Sequence, residues 1–242
     1  MSKLYVVGIG PGAPGEMTLR ARAALDEAEV IAGYGVYVDL VRALHPNKEY
    51  LVTPMRKESE RCRAAIEAAC TGKTVVMISS GDAGVYGMAG LVLELARGKG
   101  IDVEIVPGVT AALSGGAALG APLTHDFAVI SLSDLLTPWE KIERRLECAA
   151  AADFCIALYN PASHRRAGHL RRACESLMRH ASPDTICGVV RNIGREGEAM
   201  ELMNLRELSG YSADMFTTVF IGNSQTRIID GRMVTPRGYR DV

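Results

Sequence analysis

The sequence predicts an α/β protein of two domains. Three observations carry this. Short apolar runs alternate with helical spacings, several of the runs end in glycine-rich turns, and the texture changes after Gly120-Ala-Pro122. Strand–helix alternation implies a mostly parallel sheet covered on both faces. The 242 residues accommodate two units that each bury a core. The expected boundary gives an amino-terminal domain of residues 1–121 and a carboxyl-terminal domain of residues 122–242 with a mixed sheet.

The elements follow in order. Leu4 to Val7 is an apolar strand running into the turn Gly8-Ile-Gly-Pro-Gly12. Thr18 is placed to cap a helix through Leu25 to Ala28, and Val30 to Ala32 is a second strand. Ser59 to Ala69 has helical spacing, and Thr74 to Ser79 is the most apolar strand. Val85 to Arg97 reads as a helix stopped by Gly98. Val103 to Val106 is a strand ending at Pro107-Gly108, and Thr110 to Leu119 a small-residue helix. In the second half Phe127–Leu132, Phe154–Tyr159 and Thr185–Val190 read as strands. Pro138–Cys148 and Arg165–His180 read as helices, the first with proline suited to its opening turn. Phe216–Ile221 and Arg227–Ile229 read as a hairpin joined through Gly222 to Gln225.

Composition narrows the function classes. Hydrophobic residues at 48% and charged residues at 23% are ordinary for a globular protein. A net charge of −1 and only 5% aromatics argue against nucleic acid as a partner. The local cluster Arg165, Arg166, Arg171 and Arg172 reads as a solvated helix face. Six cysteines lack C-x-x-C spacing, so they are expected to be reduced thiols and not metal ligands. Met-Ser-Lys leads directly into a strand without a signal-peptide core, and no uncharged apolar run approaches the ~18 residues of a membrane span. A cytoplasmic protein is expected.

Chemistry concentrates in three loops. Gly8, Gly10 and Ala13 formally satisfy the dinucleotide fingerprint, but Val30-Ile-Ala-Gly33 ends without the acid that holds a ribose, and Pro11 removes a useful N–H. The second loop, Ser79-Ser-Gly-Asp-Ala-Gly-Val-Tyr-Gly-Met-Ala-Gly90, leaves the most apolar strand. Gly81 and Gly84 permit close approach of a ligand, and Asp82 either accepts hydrogen bonds from that ligand or caps a helix near Val85. In the third, Val106-Pro-Gly-Val-Thr-Ala111, Thr110 caps the next helix or meets a carboxylate there. Ligands of open α/β sheets bind at strand carboxyl ends, so three such loops predict a binding cleft.

Taken together, Val7-Gly-Ile-Gly-Pro-Gly12 with Met17-Thr-Leu19, Ser80-Gly-Asp-Ala-Gly-Val-Tyr-Gly87 and Glu104-Ile-Val-Pro-Gly-Val-Thr-Ala111 resemble the tetrapyrrole (uroporphyrinogen-III and precorrin) methyltransferases. Ala157-Leu-Tyr-Asn-Pro161, Val190-Arg-Asn-Ile-Gly194 and Ile221-Gly-Asn-Ser-Gln225 look like the branch that methylates C17 of precorrin-3B or cobalt-precorrin-3 with ring contraction. So do Gly33-Tyr-Gly-Val-Tyr37, Met55-Arg-Lys-Glu58 and His125-Asp-Phe-Ala-Val-Ile-Ser-Leu132. Ala83 departs from the proline common after the aspartate, which loosens that loop.

The resemblance implies the tetrapyrrole methylase fold, with S-adenosyl-L-methionine in the interdomain cleft and S-adenosyl-L-homocysteine as product. It implies cofactor contacts from Pro11, Ser80, Gly81, Asp82, Val85, Thr110 and Ala111, and from Tyr159, Asn160, Arg191 and Asn192 in the second domain. It implies a homodimer and a polycarboxylate tetrapyrrole substrate. Carboxylates call for arginine and lysine, and Arg20, Arg56, Lys57 and Arg195 are the candidates, with Arg22 and Arg191 beside them. Ring contraction calls for an acid or base, and His125 and Asp126 are favoured over Asp82; hinge hydrogen bonding is the competing role for the pair. No metal is needed for methyl transfer. The rival functions are a sister methyltransferase acting at another corrinoid carbon or on a diphthamide precursor, a nicotinamide-dependent oxidoreductase, and a non-catalytic binding module.

Overall fold

The computed structural model describes residues 2–162 and 168–240. The chain divides into two units, Met1–Ala111 and Ala112–Val242.

The first unit is an open parallel sheet of order β3-β2-β4-β1-β5. Its strands are β1 (Lys3–Gly8), β2 (Val30–Tyr34), β3 (Glu49–Thr53), β4 (Thr74–Ser79) and β5 (Asp102–Val106). Side chains alternate across a strand, so each strand feeds two cores. Leu4, Val6, Val75 and Met77 pack on one face against α3 (Glu58–Cys70) and α4 (Ala89–Ala96). Tyr5, Val7, Val76 and Ile78 pack on the other against α1 (Leu19–Glu27) and α2 (Gly35–Arg42). Leu4, Val6, Val7, Val75 and Val76 have no exposed surface. Each such aliphatic side chain contributes about 1.5–3 kcal/mol by burial. This two-sided cover is why the central strands read as unbroken apolar runs.

Thr18 caps α1 as expected, its hydroxyl oxygen accepting from Ala21 N at 3.1 Å. The helix expected from Val85 to Arg97 is shorter. It begins at Ala89, because residues 80–88 are held as a loop by their own contacts. Gly98 still terminates it in the left-handed region at φ 75°. Helix α2 and edge strand β3 lie between the second strand and the Ser59 helix, where the sequence offered no clear period.

The second unit holds α5 (Ala111–Leu119) from Ala112 onward and a mixed sheet of order β10-β9-β11-β8-β7. Its strands are β7 (Phe127–Ser131), β8 (Cys155–Tyr159), β9 (Ile186–Arg191), β10 (Ala199–Asn204) and β11 (Thr217–Ile221). Strands β7 and β8 are parallel, while β11 runs antiparallel to both β8 and β9. The carboxyl ends of β7, β8 and β9 therefore share one edge of the sheet. Helices α6 (Trp139–Ala151), α7 (His169–Leu177) and α8 (Leu205–Leu208) bury Ile142, Leu146, Leu170, Leu177 and Leu205 against it. Helix α8 opens with a capping box between Asn204 and Glu207. A Cβ on Gly115 of α5 would lie 2.9 Å from Ile193 and Phe220 side-chain atoms, which explains the small residues of that helix.

Two expectations change here. The expected hairpin does not form, because β11 joins the main sheet. Strand β12 (Arg227–Ile229) pairs instead with β13 (Arg232–Val234), and β13 pairs with β6 (Gly120–Ala121). The turn is Asp230-Gly231, with φ of 48° and 73°, both in the left-handed region that a tight hairpin needs. The helix expected to begin at Arg165 begins at His169 among the described residues, and Arg165 and Arg166 lie outside them. Arg172 of the same cluster is not simply solvated, for its guanidinium sits 4.2 Å over the Trp139 ring.

Candidate active site

The three glycine loops of the first unit leave the adjacent strands β4, β1 and β5. Hydrogen bonds join the first two loops beyond the strands, through an isolated antiparallel bridge between Gly10 and Gly81. Ile9 N donates to Ser79 O at 2.9 Å, Gly10 N to Gly81 O at 3.1 Å, and Gly81 N to Gly10 O at 2.7 Å. Gly8 is the point of closest approach. A Cβ there would lie 2.6 Å from Gly81 O, 2.8 Å from Asp82 Cα and 2.8 Å from Gly108 N, so only glycine fits. A Cβ on Gly81 would lie 3.5 Å from Thr110 Cα, which puts the second loop directly over the third. Pro11 is buried, and Ser80, Val85, Thr110 and Ala111 are half-buried beside it in the chain order of these loops. Pro14–Glu16 forms one 3-10 turn before α1, so the first loop does not run straight into a helix.

Asp82 resolves the choice left open by the sequence. It caps no helix, since α4 starts at Ala89 behind an N-cap at Met88. One carboxylate oxygen accepts from Gly84 N at 2.7 Å and the other from Gly108 N at 2.9 Å. The side chain thus closes its own turn and ties the second loop to the third. Thr18 ties the first loop to the third as well, its hydroxyl donating to Pro107 O at 3.2 Å. That second role carried no sequence signal. Tyr86 is also a feature the motif reading passed over. It has φ 54° and is 54% exposed. A left-handed tyrosine costs about 1–2 kcal/mol, a cost characteristic of functional loops.

In the second unit, the shared carboxyl edge gathers Ser131, Tyr159, Asn160, Arg191 and Asn192. The Tyr159 hydroxyl accepts from Ala112 N at 2.7 Å, in the first turn of α5. Asn160 and Asn192 follow β8 and β9 with φ of 55° and 53°. Asparagine tolerates that region better than other side chains. The Asn160 amide donates to Ser131 Oγ at 2.9 Å, and the Asn192 amide to Gly197 O at 3.4 Å. Arg191 is exposed at the end of β9, and the Arg195 guanidinium sits 5.5 Å over the Phe216 ring.

The other candidates fall in different places. Arg56, in the left-handed region at φ 67°, and Lys57 follow the carboxyl end of edge strand β3. Lys57 pairs with Glu60 at 2.9 Å, and both are more than half exposed. Arg20 binds Glu104 at 2.5 Å while Lys3 binds the other oxygen at 2.8 Å. Lys3 and Arg20 together hold the Glu104 carboxyl below its ordinary range. Arg20 is therefore engaged in an ion pair. His125 and Asp126 precede β7, and Asp126 O accepts from Cys155 N at 3.2 Å at the amino end of β8. The length of a five-residue strand, roughly 17 Å, separates them from Ser131. The structure does not bring them to the edge that carries Tyr159 and Asn192. The Gly222-Asn-Ser-Gln225 motif also lies away from that edge and builds a turn, with Asn223 Oδ1 accepting from Gln225 N and Ser224 bound to Asp153. Among the described residues, no group of three His, Cys, Asp or Glu side chains is placed to hold a metal, and no helix is long and apolar enough to cross a membrane.

Comparison with known proteins gives the family. Residues 3–209 match the family model of the Tetrapyrrole (Corrin/Porphyrin) Methylases. The chain is 50% identical to the "Probable cobalt-factor III C(17)-methyltransferase" of Salmonella typhimurium, over 98% of this chain and 99% of that protein. It is 43% identical to the "Precorrin-3B C(17)-methyltransferase" of a Sinorhizobium species, over 98% and 96% of the two chains. The crystal structure of the methyltransferase CobJ superposes with a TM-score of 0.91 at 38% identity, covering 98% of this chain and 100% of that one. With this fold, these three crosslinked loops and these matches, the chain belongs to the tetrapyrrole (corrin/porphyrin) methylase family.

Proposed function

We propose that the protein is an S-adenosylmethionine-dependent methyltransferase of cobalamin biosynthesis that methylates C17 of cobalt-factor III, with contraction of the ring. The observation that carries this reading is the set of crosslinked strand ends at β4, β1 and β5, in a chain that matches C17-methyltransferases over nearly its full length. The cobalt-bearing substrate is preferred to metal-free precorrin-3B because two cobalt-factor III methyltransferases, at 50% and 46% identity, are more similar to this chain than the precorrin-3B enzyme at 43%, while two others, at 43% and 42%, are not.

The strand ends suit the cofactor by their donor set. Ser80 and Thr110 carry hydroxyls, and the exposed Gly84 and half-buried Ala111 are small enough for an adenosine to lie close to the backbone. When bound, the cofactor supplies a methyl group already activated by its sulfonium, so the protein is left with alignment. Pro11, Ser80, Gly81, Val85, Thr110 and Ala111 form its bed, and Asp82 holds the bed together through Gly84 and Gly108. Tyr159, Asn160, Arg191 and Asn192 stand at the strand ends of the second unit, where the family resemblance implies further cofactor contacts. Such positioning contributes about 7–11 kcal/mol to lowering the barrier. Arg56, Lys57 and Arg195 engage substrate carboxylates, and Arg20 does so with the guanidinium donors that its Nη2 pair to Glu104 leaves over. His125 and Asp126, at the opposite strand ends, do not enter the proposed site. The enzyme is proposed to act as a cytoplasmic homodimer.

The test is an incubation of purified protein with methyl-labelled S-adenosylmethionine and, separately, cobalt-factor III and precorrin-3B. Label in the macrocycle, faster with the cobalt substrate, supports the reading. Label in neither contradicts it.

A further inference from the structure

The carboxyl edge of the second sheet carries one feature that the proposed site does not use. After β7 the chain runs through Ser133 and Asp134 into two consecutive leucines and then reaches α6. Leu135 is 64% exposed and Leu136 is 98% exposed, the highest value among the large apolar side chains described. The two adjacent leucines form a small apolar patch beside the polar strand ends of the same edge.

The same loop is anchored from behind. His169 opens α7 and is only 9% exposed, with its ring edge-on to Trp139 at a centroid distance of 4.9 Å. Its Nε2 is sealed from solvent and lies 3.1 Å from Oδ2 of Asp134, close enough for an ion pair though out of hydrogen-bond alignment. The residue that meets this buried imidazole is thus the one immediately before the leucines.

We infer that Asp134 and His169 form a positioning pair that holds Leu135 and Leu136 as an apolar seat for the flat face of the tetrapyrrole. The inference rests on the proposed function. A macrocycle with carboxylates around its rim needs cations for the rim and apolar surface for its face. Arg195, at the carboxyl edge of the same sheet, answers only the first need. Leu135 and Leu136, which follow the strand end that holds Ser131 and Asn160, answer the second.

Steady-state kinetics with cobalt-factor III and calorimetry with S-adenosylhomocysteine test this together. Leu136→Ser replaces a side chain that stands in solvent, so the fold is not at risk. Loss of its burial against substrate raises the substrate KM about tenfold or more, with kcat within about twofold and S-adenosylhomocysteine affinity unchanged. Asp134→Ala and His169→Ala each raise the same KM, and the double variant raises it no further than the worse single one, as expected for partners in one contact. A Leu136→Ser enzyme with unchanged KM overturns the seat, and additive effects in the double variant overturn the pair. If the wild-type enzyme methylates neither macrocycle, the proposed function fails first, which distinguishes the two failures.

Discussion

Replacing Asp82 tests the crosslink on which the cofactor bed depends. Its carboxylate accepts two backbone hydrogen bonds, from Gly84 N at 2.7 Å and Gly108 N at 2.9 Å. Hydrogen bonds to a charged group are worth about 1.5–3 kcal/mol each, and a donor that water can reach recovers much of its share. Gly84 is exposed, so the loss from Asp82→Ala comes mainly from Gly108, which is half-buried. The expected loss is about 2 kcal/mol, lowering the thermal midpoint by about 4–8 °C. Freed loops also weaken S-adenosylhomocysteine binding, by about five- to tenfold if half to two-thirds of that loss falls on the bound state. Asp82→Asn keeps a single acceptor oxygen and can retain one of the two bonds, so it falls between wild type and alanine. Calorimetric titration and a melting curve on all three proteins provide the check. An alanine variant with wild-type affinity and midpoint refutes the crosslink.

Four further outcomes follow. Gly8→Ala forces a Cβ to within 2.6 Å of Gly81 O and 2.8 Å of Gly108 N, both backbone atoms, so a loss above about 3 kcal/mol and little soluble protein are expected; urea unfolding measures it. Asn160→Ala is less stable than Asn160→Gly by about 1 kcal/mol in the same assay, because only alanine is strained at φ 55°. Burial pushes the Cys62 thiol up to about 11 and the Cys174 thiol up to about 12 from an ordinary 9. A raised folded-state pKa means this stability is intact below pH 9 and is lost as pH rises toward 12, so unfolding titrations show an alkaline decline. In native protein at pH 8, a thiol reagent labels the exposed Cys70 and Cys148 while the other four stay unmodified.

What the sequence made legible depended on distance along the chain. Strands β1, β4, β8 and β9 show as apolar runs because both faces of their sheets are covered. Edge strands β3 and β10 have exposed positions and blur into loop patterns. The hairpin was misplaced because Gly222 to Gln225 looked like its turn, while the stronger signal, Asp230-Gly231, stood one strand later. Helix α4 starts late because Ser79 Oγ accepts from Met88 N and Ala83 O from Ala89 N, contacts that fold residues 80–88 into a loop without helical spacing.

The same reasoning applies to the site. Each glycine loop was visible alone, because strand–glycine–helix is a local pattern. Their crosslinks were not, because Asp82 meets Gly108 across 26 positions and Thr18 meets Pro107 across 89. Only the strand order β4-β1-β5 brings these together. His125 and Asp126 are candidates by their place near the expected domain junction; strand direction sets them at the opposite end of β7 from Ser131.

The most direct test of the central claim is transfer of a carbon-13 methyl group from S-adenosylmethionine to cobalt-factor III, with the product read by nuclear magnetic resonance. One enriched methyl resonance, bonded to C17 in a ring-contracted macrocycle, is the expected result. Enrichment at another carbon, or none, contradicts it.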